Sequence, residues 1–339
     1  MTHLHRVRPG CFAIVLLPVA TFVFHHYLNA VLGVPDLPIG AEILREDAAH
    51  LEAAGRTRFL ASFWLFLVIV LVCVLLFFDE WRSPLTEGTR RVALIAVAVV
   101  MAPVLLSVWG HQTNPDAARG FDRLGRAVYE AALAQGRVAG CERADAVWLL
   151  GRCGDNPVFT MLLDMLDVIN LLSALGVGVL ACGVVLCLRE APQGSSLEAE
   201  VRLLHYNRTR MRVFLYMSGL MLSAGVFLAI GWLHWPLPVV KEDMRKEFET
   251  LLRSTELMMG VYFSLLTVSY YGPAVLVHEA KVRALARRAM EDQGPYPDFE
   301  AWKEETRLTF DLQQLLRDST AVIAPVITAF AGGFSPLLS

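Results

Sequence analysis

The sequence is short of charge, and long stretches of it carry none. Of its 339 residues, 19% are charged and 55% are hydrophobic, whereas soluble globular domains average about 25% charged and about 45–50% apolar residues. This composition excludes a disordered chain and a coiled coil. The formal net charge of −3 provides no basic field for nucleic acid, so we expect no nucleic-acid partner.

Familiar catalytic motifs are also missing. The chain contains no HExxH helix, no Walker loop, no nucleophile elbow and no CxxC pair. Its apolar runs contain no Asp, Glu, Lys or Arg, although ion-coupled transporters keep such groups inside the membrane to bind or relay charge. We therefore expect a non-enzymatic protein.

What the sequence does contain is six uncharged apolar runs of 19 to 23 residues. Each meets the roughly 20 residues that an α-helix needs to cross a bilayer. They predict an all-α, polytopic helical membrane protein with six transmembrane helices, at residues 11–33, 59–78, 92–110, 168–188, 213–235 and 257–277.

The distribution of Lys and Arg predicts the orientation. With the N-terminus in the cytoplasm, the inner segments hold 17 basic residues and the outer segments hold 13, as the positive-inside rule requires. We expect an integral protein of a bacterial-type inner (plasma) membrane. In this orientation Cys141 and Cys153 share an outer loop, where a disulfide can persist.

The segments outside the spans predict two domains. Residues 1–278 form a transmembrane domain with an extracytoplasmic helical cap built from 34–58, 111–167 and 236–256. We expect the helix in the last of these segments to lie along the interface. Residues 279–339 form a cytoplasmic helical region with an apolar tail. Because Pro and Gly interrupt this tail, it is expected to be re-entrant or packed on the spans rather than to form a seventh span.

Polar residues near the outer ends of the spans form the first candidate site. Side chains on different spans could ligate haem or a transition metal, but an interfacial polar layer that holds the helices together is the favoured interpretation. No cofactor is then needed, and haem or a metal is the alternative. The residues are His26, His111, His234, Asp164, Asp167 and Asn170.

Two further patterns carry expectations. A stripe on one face of span six, at spacings of four, three and four, can line a pore or pack against other helices: Gly260, Ser264, Thr267 and Tyr271. Cations beside spans five and six are expected to contact inner-leaflet lipid: Arg208, Arg210, Arg212, Lys281, Arg283, Arg287 and Arg288.

These observations favour an oligomeric, channel-like or signal-relaying membrane protein. Membrane lipid is one expected partner. Another is a second copy of the chain or the other subunits of a membrane complex. Two alternatives stay open: a metal- or haem-binding oxidoreductase or electron carrier that uses the outer histidines, and a small-molecule transporter.

Overall fold

The computed structural model describes the membrane domain and the inner helical region. The described residues are 4–32, 45, 49–113, 131–136, 138, 140–141, 143, 145, 147–148, 151–152, 157–192, 194–235, 237–293, 299–308 and 312–332. In this part of the chain the only strands are two strands of two residues each, which form one hairpin. The predicted all-α class is therefore confirmed.

A short 3-10 helix at Pro9–Val15 leads into the first α-helix. The elements are α1 (Leu16–Leu32), α2 (Ala49–Arg82), α3 (Glu87–Thr113), β1 (Val147–Trp148), β2 (Gly151–Arg152), α4 (Pro157–Leu186), α5 (Leu197–His234), α6 (Glu242–Gln293), α7 (Phe299–Glu305) and α8 (Leu312–Gly332). A second 3-10 helix, Leu237–Val239, connects α5 to α6.

The N-terminal segment joins two connections at one end of the helix bundle. The backbone N–H of His5 donates to the Pro84 carbonyl at 2.7 Å, and the N–H of Thr86 donates to the His5 carbonyl at 3.0 Å. The N–H of Glu190 donates to the Arg6 carbonyl at 2.9 Å. The N-terminus, the α2–α3 turn and the α4–α5 connection therefore share one end. We call it the inner end, after the predicted orientation, and the opposite end the outer end.

Helix α5 starts where its sequence provides a cap. The Ser196 hydroxyl accepts the N–H of Ala199 at 3.3 Å, which satisfies one of the unpaired donors of the first turn. Glu198 and Glu200 follow in that turn, where negative charge favours the positive end of the helix dipole. These local features fix the start of α5 in the α4–α5 connection.

Seven helices in the described residues are long and apolar enough to cross a membrane, and six of them correspond to the predicted runs. The seventh, Gln313–Gly332, lies in α8 and contains the described part of the predicted tail. By length and composition, the described residues therefore contain seven candidate spans rather than six.

Helix α8 runs along α5 without turning back. Near its start, Asp318 bonds to Arg212 at 3.3 Å, and at its end Gly332 lies against Ile230. Asp318 and Gly332 are separated by about 21 Å of helix at 1.5 Å per residue. The described part of the tail is therefore a continuous helix that packs along α5. The re-entrant alternative is wrong for the described residues, and the expectation against a seventh candidate span is wrong as well. Pro325 lies within the helix without ending it.

Glycines on α5 and α6 let α8 approach both helices closely. A Cβ atom at Gly219 would lie 2.5 Å from the Ala321 carbonyl oxygen. One at Gly260 would lie 2.9 Å from the Pro325 carbonyl oxygen. Any larger residue at either position would push α8 away, so these two glycines determine where it docks.

Two of the outer segments continue the spans where the structure describes them. Helix α2 begins at Ala49, and α6 runs without interruption from Glu242 to Gln293. The expectation of a helix along the interface at 236–256 is therefore wrong. His234, the last residue of α5, bonds to Glu256 of α6. The part of α6 before Glu256 therefore extends beyond the end of α5. Of the predicted cap, residues 34–44, 46–48, 114–130, 137, 139, 142, 144, 146, 149–150, 153–156 and 236 lie outside the described residues.

Beyond the inner end, a separate apolar cluster joins α5, α6 and α7. Its buried members are Leu204, Val282, Leu285, Ala286, Ala289, Trp302 and Leu308. We call this set the inner cluster. Because α6 contributes residues both to it and to the membrane bundle, the two units share one continuous helix.

Candidate functional site

The first polar group at the outer end joins α3 to α4. His111 and Asp167 are both buried, and Nδ1 of His111 lies 3.2 Å from Oδ2 of Asp167. The Gln112 amide donates to the same Asp167 oxygen at 2.9 Å and to Oδ1 of the exposed Asp164 at 3.0 Å. Three of the predicted layer residues therefore lie together here. Gln112 was not predicted, although it directly follows His111.

The second polar group at the outer end joins α5 to α6. Nε2 of His234 lies 2.5 Å from Oε1 of Glu256, and both residues are buried. The sequence pattern places Glu256 at the end of a cap segment and so does not predict this pair. Its position one residue before span six would have indicated burial at the membrane boundary.

A third group ties α2 to the end of α5. The Trp235 indole N–H donates to Glu52 at 2.8 Å, and Arg56 lies 3.8 Å from Glu52 on the next turn of α2. Glu52 is 1% exposed. Glu52 was assigned to the cap, so its burial against a tryptophan was not predicted. Together the three groups connect five of the helices at the outer end.

The predicted histidines do not meet at one point in the described residues. His26 stacks on Phe22, and its neighbour His25 stacks on Tyr262 with ring centroids 3.8 Å apart. Asn170 is half-buried on α4. Among the described residues, no group of three His, Cys, Asp or Glu side chains is arranged to hold a metal ion. The geometry here is that of separate helix-joining pairs, which favours the polar-layer interpretation.

The hydroxyl stripe of α6 points into the protein. Gly260 contacts α8, and Ser264 and Thr267 are 9% and 0% exposed. The Thr267 hydroxyl donates to the Phe263 carbonyl of its own helix at 3.2 Å. Tyr271 is half-buried on the same face. Within one chain this face packs against neighbouring helices, which favours the packing alternative over a pore.

At the inner end, five of the seven predicted lipid-contacting cations bond within the protein. Arg208 donates to the Leu308 carbonyl at 3.1 Å, and Lys281 donates to the Leu188 carbonyl at 2.5 Å. Arg210, Arg212 and Arg288 bond to carboxylates on other helices. Arg283 and Arg287 are exposed.

The most buried charges at this end form a network that sequence reasoning missed. The Glu80 carboxylate, whose side chain is fully buried, pairs with Arg189 and with Nε of Arg210, the latter at 2.7 Å. A second Arg210 nitrogen lies 2.7 Å from the exposed Asp79. Burial lowers the pKa of the Arg189 guanidinium from its usual value, yet arginine stays charged in proteins. The sequence indication was positional, since each residue lies within a few positions of a span end.

A smaller network holds the start of α8. The Tyr216 hydroxyl donates to Oδ1 of Asp318 at 2.8 Å, and Nε of Arg212 donates to Oδ2 at 3.3 Å. Asp318 is the last charged residue before the apolar tail. One carboxylate thus fixes the inner end of α8 against α5.

Of the two predicted disulfide cysteines, Cys141 is buried. Cys153 lies outside the described residues, so its pairing with Cys141 stays a prediction. The other four cysteines are free: Cys11, Cys73, Cys182 and Cys187.

Comparison of the chain with protein-family models, curated proteins and solved structures finds no match. Function is therefore argued from the geometry of the chain itself.

Proposed function

We propose that the protein is a non-enzymatic membrane relay that couples its outer end to its inner cluster through α6. The observation that carries this proposal is the length of α6. It runs for 52 residues from Glu242 to Gln293, or about 78 Å, whereas the hydrocarbon core of a bilayer is about 30 Å thick. One helix therefore reaches well past the membrane at both ends.

Polar contacts attach α6 to its neighbours at each end. Glu256 pairs with His234 at the outer end, while Glu279 pairs with Lys303 of α7 at 3.7 Å beyond the inner end. Between these points α6 packs against α5 and α8. Pro273 removes one backbone hydrogen bond of α6, but the helix continues through it. We expect a displacement of the outer part to be transmitted because the packed interior around α6 has few voids.

The geometry gives less support to the other functional hypotheses. A channel would need its pore between subunits, since the hydroxyl face of α6 is used within the chain. A haem or metal enzyme would need histidines that converge, and the described ones form separate pairs. A transporter would need a polar binding site between spans. Most of the described polar groups lie instead at the bundle ends, and the core between α5 and α6 contains a small group of hydroxyls, those of Ser218, Thr267 and Tyr270.

Assembly and location are parts of the same proposal. We place the protein in a plasma-type membrane with its N-terminus in the cytoplasm, as an oligomer or as a subunit of a membrane complex. Pairing of Cys141 with Cys153 would support this orientation, because disulfides persist on the oxidising side of a membrane. A Cys141–Cys153 peptide in a non-reducing digest of the full chain would establish the pairing. Two free thiols would remove it.

The relay is tested by breaking the outer pair and observing the inner cluster. In the full-length protein in lipid nanodiscs, Glu256→Gln is expected to raise hydrogen exchange locally and also in residues 282–289 and 299–305. Coupling between distant sites is typically worth about 1–3 kcal/mol, so inner protection factors should fall about fivefold or more.

A matched control lies on the same helix. Glu249→Gln removes the partner of Arg245 at 2.9 Å, a pair within α6 alone, and should leave the inner cluster unchanged. If Glu256→Gln alters exchange only at the outer end, the relay proposal is wrong. Ion flux through liposomes containing the wild-type protein would instead support the channel reading.

A further inference from the structure

Two of the cations predicted to contact lipid are left over after the internal networks are formed. Arg283 and Arg287 have exposed side chains, and no described residue forms a hydrogen bond or ion pair with either. Arg288 lies beside them but pairs with Glu200 on α5. The structure thus separates two available guanidinium groups from five cations that bond within the protein.

These two arginines continue an exposed stripe on α6. Leu265, Val268 and Leu276 are 56%, 46% and 72% exposed, and Ala280 continues the stripe towards the arginines. Steps of three, four or eight residues keep these positions on one face of a helix. The face is apolar along the membrane span and becomes cationic towards the inner end.

The stripe changes from apolar to cationic at the depth expected for the membrane surface. Lys281 bonds to the Leu188 carbonyl, just past the end of α4, and pairs with Glu190 at 3.4 Å. Arg283 and Arg287 lie about 3 Å and 9 Å further along α6. A headgroup layer is about 5–8 Å thick on each side of the hydrocarbon core. Arg283 therefore lies within this layer, and the long side chain of Arg287, just beyond it, can reach back to the same phosphates.

An open depression of about 290 Å³ lies between side chains of this face of α6, where the apolar part of the stripe meets the cationic part. Its lining is Leu276, Glu279, Ala280, Arg283, Ala284 and Arg287. The carboxylate in this wall, Glu279, pairs with Lys303. Two unpaired guanidinium groups therefore dominate its charge, and their fork geometry fits phosphate oxygens.

The geometry points to a binding site for an anionic phospholipid, with the headgroup phosphate on Arg283 and Arg287 and the acyl chains along the Leu276 stripe. Lipid is chosen over a soluble phosphate because the cationic groups continue an apolar, membrane-facing surface. The site is independent of the relay proposal, since neither arginine belongs to the contacts that attach α6 to its neighbours.

Native mass spectrometry of the full chain, titrated with phosphatidylglycerol, tests the site. The double substitution Arg283→Gln and Arg287→Gln is expected to weaken the tightest phosphatidylglycerol about thirtyfold. This equals roughly 2 kcal/mol, or about 1 kcal/mol for each cation at a membrane surface. The control Arg288→Gln should bind as the wild type does, and the charge-keeping pair Arg283→Lys and Arg287→Lys should retain most of the affinity.

Three outcomes would overturn the proposal. One is wild-type affinity in the double Gln variant, and another is equal binding of zwitterionic phosphatidylcholine. The third is displacement of phosphatidylglycerol by excess inorganic phosphate, which would identify a soluble anion as the ligand. Matching thermal midpoints of the double Gln variant and the wild type show that its loss of affinity does not come from unfolding.

Discussion

The two ends of the bundle are held by different chemistry. At the outer end, the buried histidines form separate pairs with carboxylates, His111 with Asp167 and His234 with Glu256, and Arg56 lies 3.8 Å from Glu52. At the inner end, arginines join carboxylates from several elements, with Glu80 at the centre. An imidazole is charged only when protonated, whereas a guanidinium keeps its charge.

This difference indicates that losing one polar partner destabilises the inner end more than the outer end. Loss of one partner in a network of permanent charges leaves another charge buried without compensation, which is costly. Loss of one partner beside a histidine leaves a group that can become neutral. A signal received at the outer end is then more easily converted into movement of α6 than one received at the inner end.

The largest expected effect is at Glu80. Glu80→Gln removes the charge that Arg189 and Arg210 share, so the free energy of unfolding should fall by about 3–5 kcal/mol. Denaturant titration in detergent measures it. Asp79→Asn is the matched control: its exposed carboxylate bonds to the same Arg210, and a change below about 1 kcal/mol is expected. Equal losses in the two variants would contradict a buried network.

A smaller effect is expected where α8 begins. Asp318→Asn weakens the bonds from Arg212 and Tyr216, and hydrogen bonds to charged groups contribute about 1.5–3 kcal/mol. The variant should show faster hydrogen exchange across residues 319–332. Its free energy of unfolding should fall by about 1.5–3 kcal/mol. The adjacent, exposed Arg317→Gln provides the control. Unchanged exchange in α8 would show that its apolar face alone fixes it.

The smallest of these effects is expected at the outer end. Asp167→Asn keeps an oxygen for Gln112 and His111, so stability should fall by only about 0.5–1.5 kcal/mol. Asp164→Asn, at an exposed residue that bonds only to Gln112 among the described residues, should change it by less than about 0.5 kcal/mol. A loss at Asp167 as large as that at Glu80 would remove the distinction between the two ends.

The sequence predicts the membrane architecture well because crossing a bilayer imposes a length and a composition that single runs reveal. It fails where partners are distant in the chain. Pro325 was read as a break in the tail, yet α8 continues through it while packed on α5 and α6. Glu80 and Arg189 are 109 positions apart, so no local pattern could have paired them.

The candidate sites show the same limit. The spacing of the hydroxyl residues predicts that they share one face of α6, because helical periodicity is a local property. Whether that face contacts water or another helix depends on the position of α8, which is distant in the sequence. The histidines lie near the outer ends of their spans as expected. Their partners, Glu256 among them, came from residues that had been assigned to a cap.

The central claim is that α6 itself carries coupling between the two ends. Hydrogen exchange of the Glu256→Gln variant, measured with and without two glycines inserted between Gly272 and Pro273, tests it directly. The account predicts that the insertion abolishes the effect on residues 282–289 and leaves the outer effect intact. Persistence of the inner effect in the interrupted helix would contradict it, because coupling would then travel by another route.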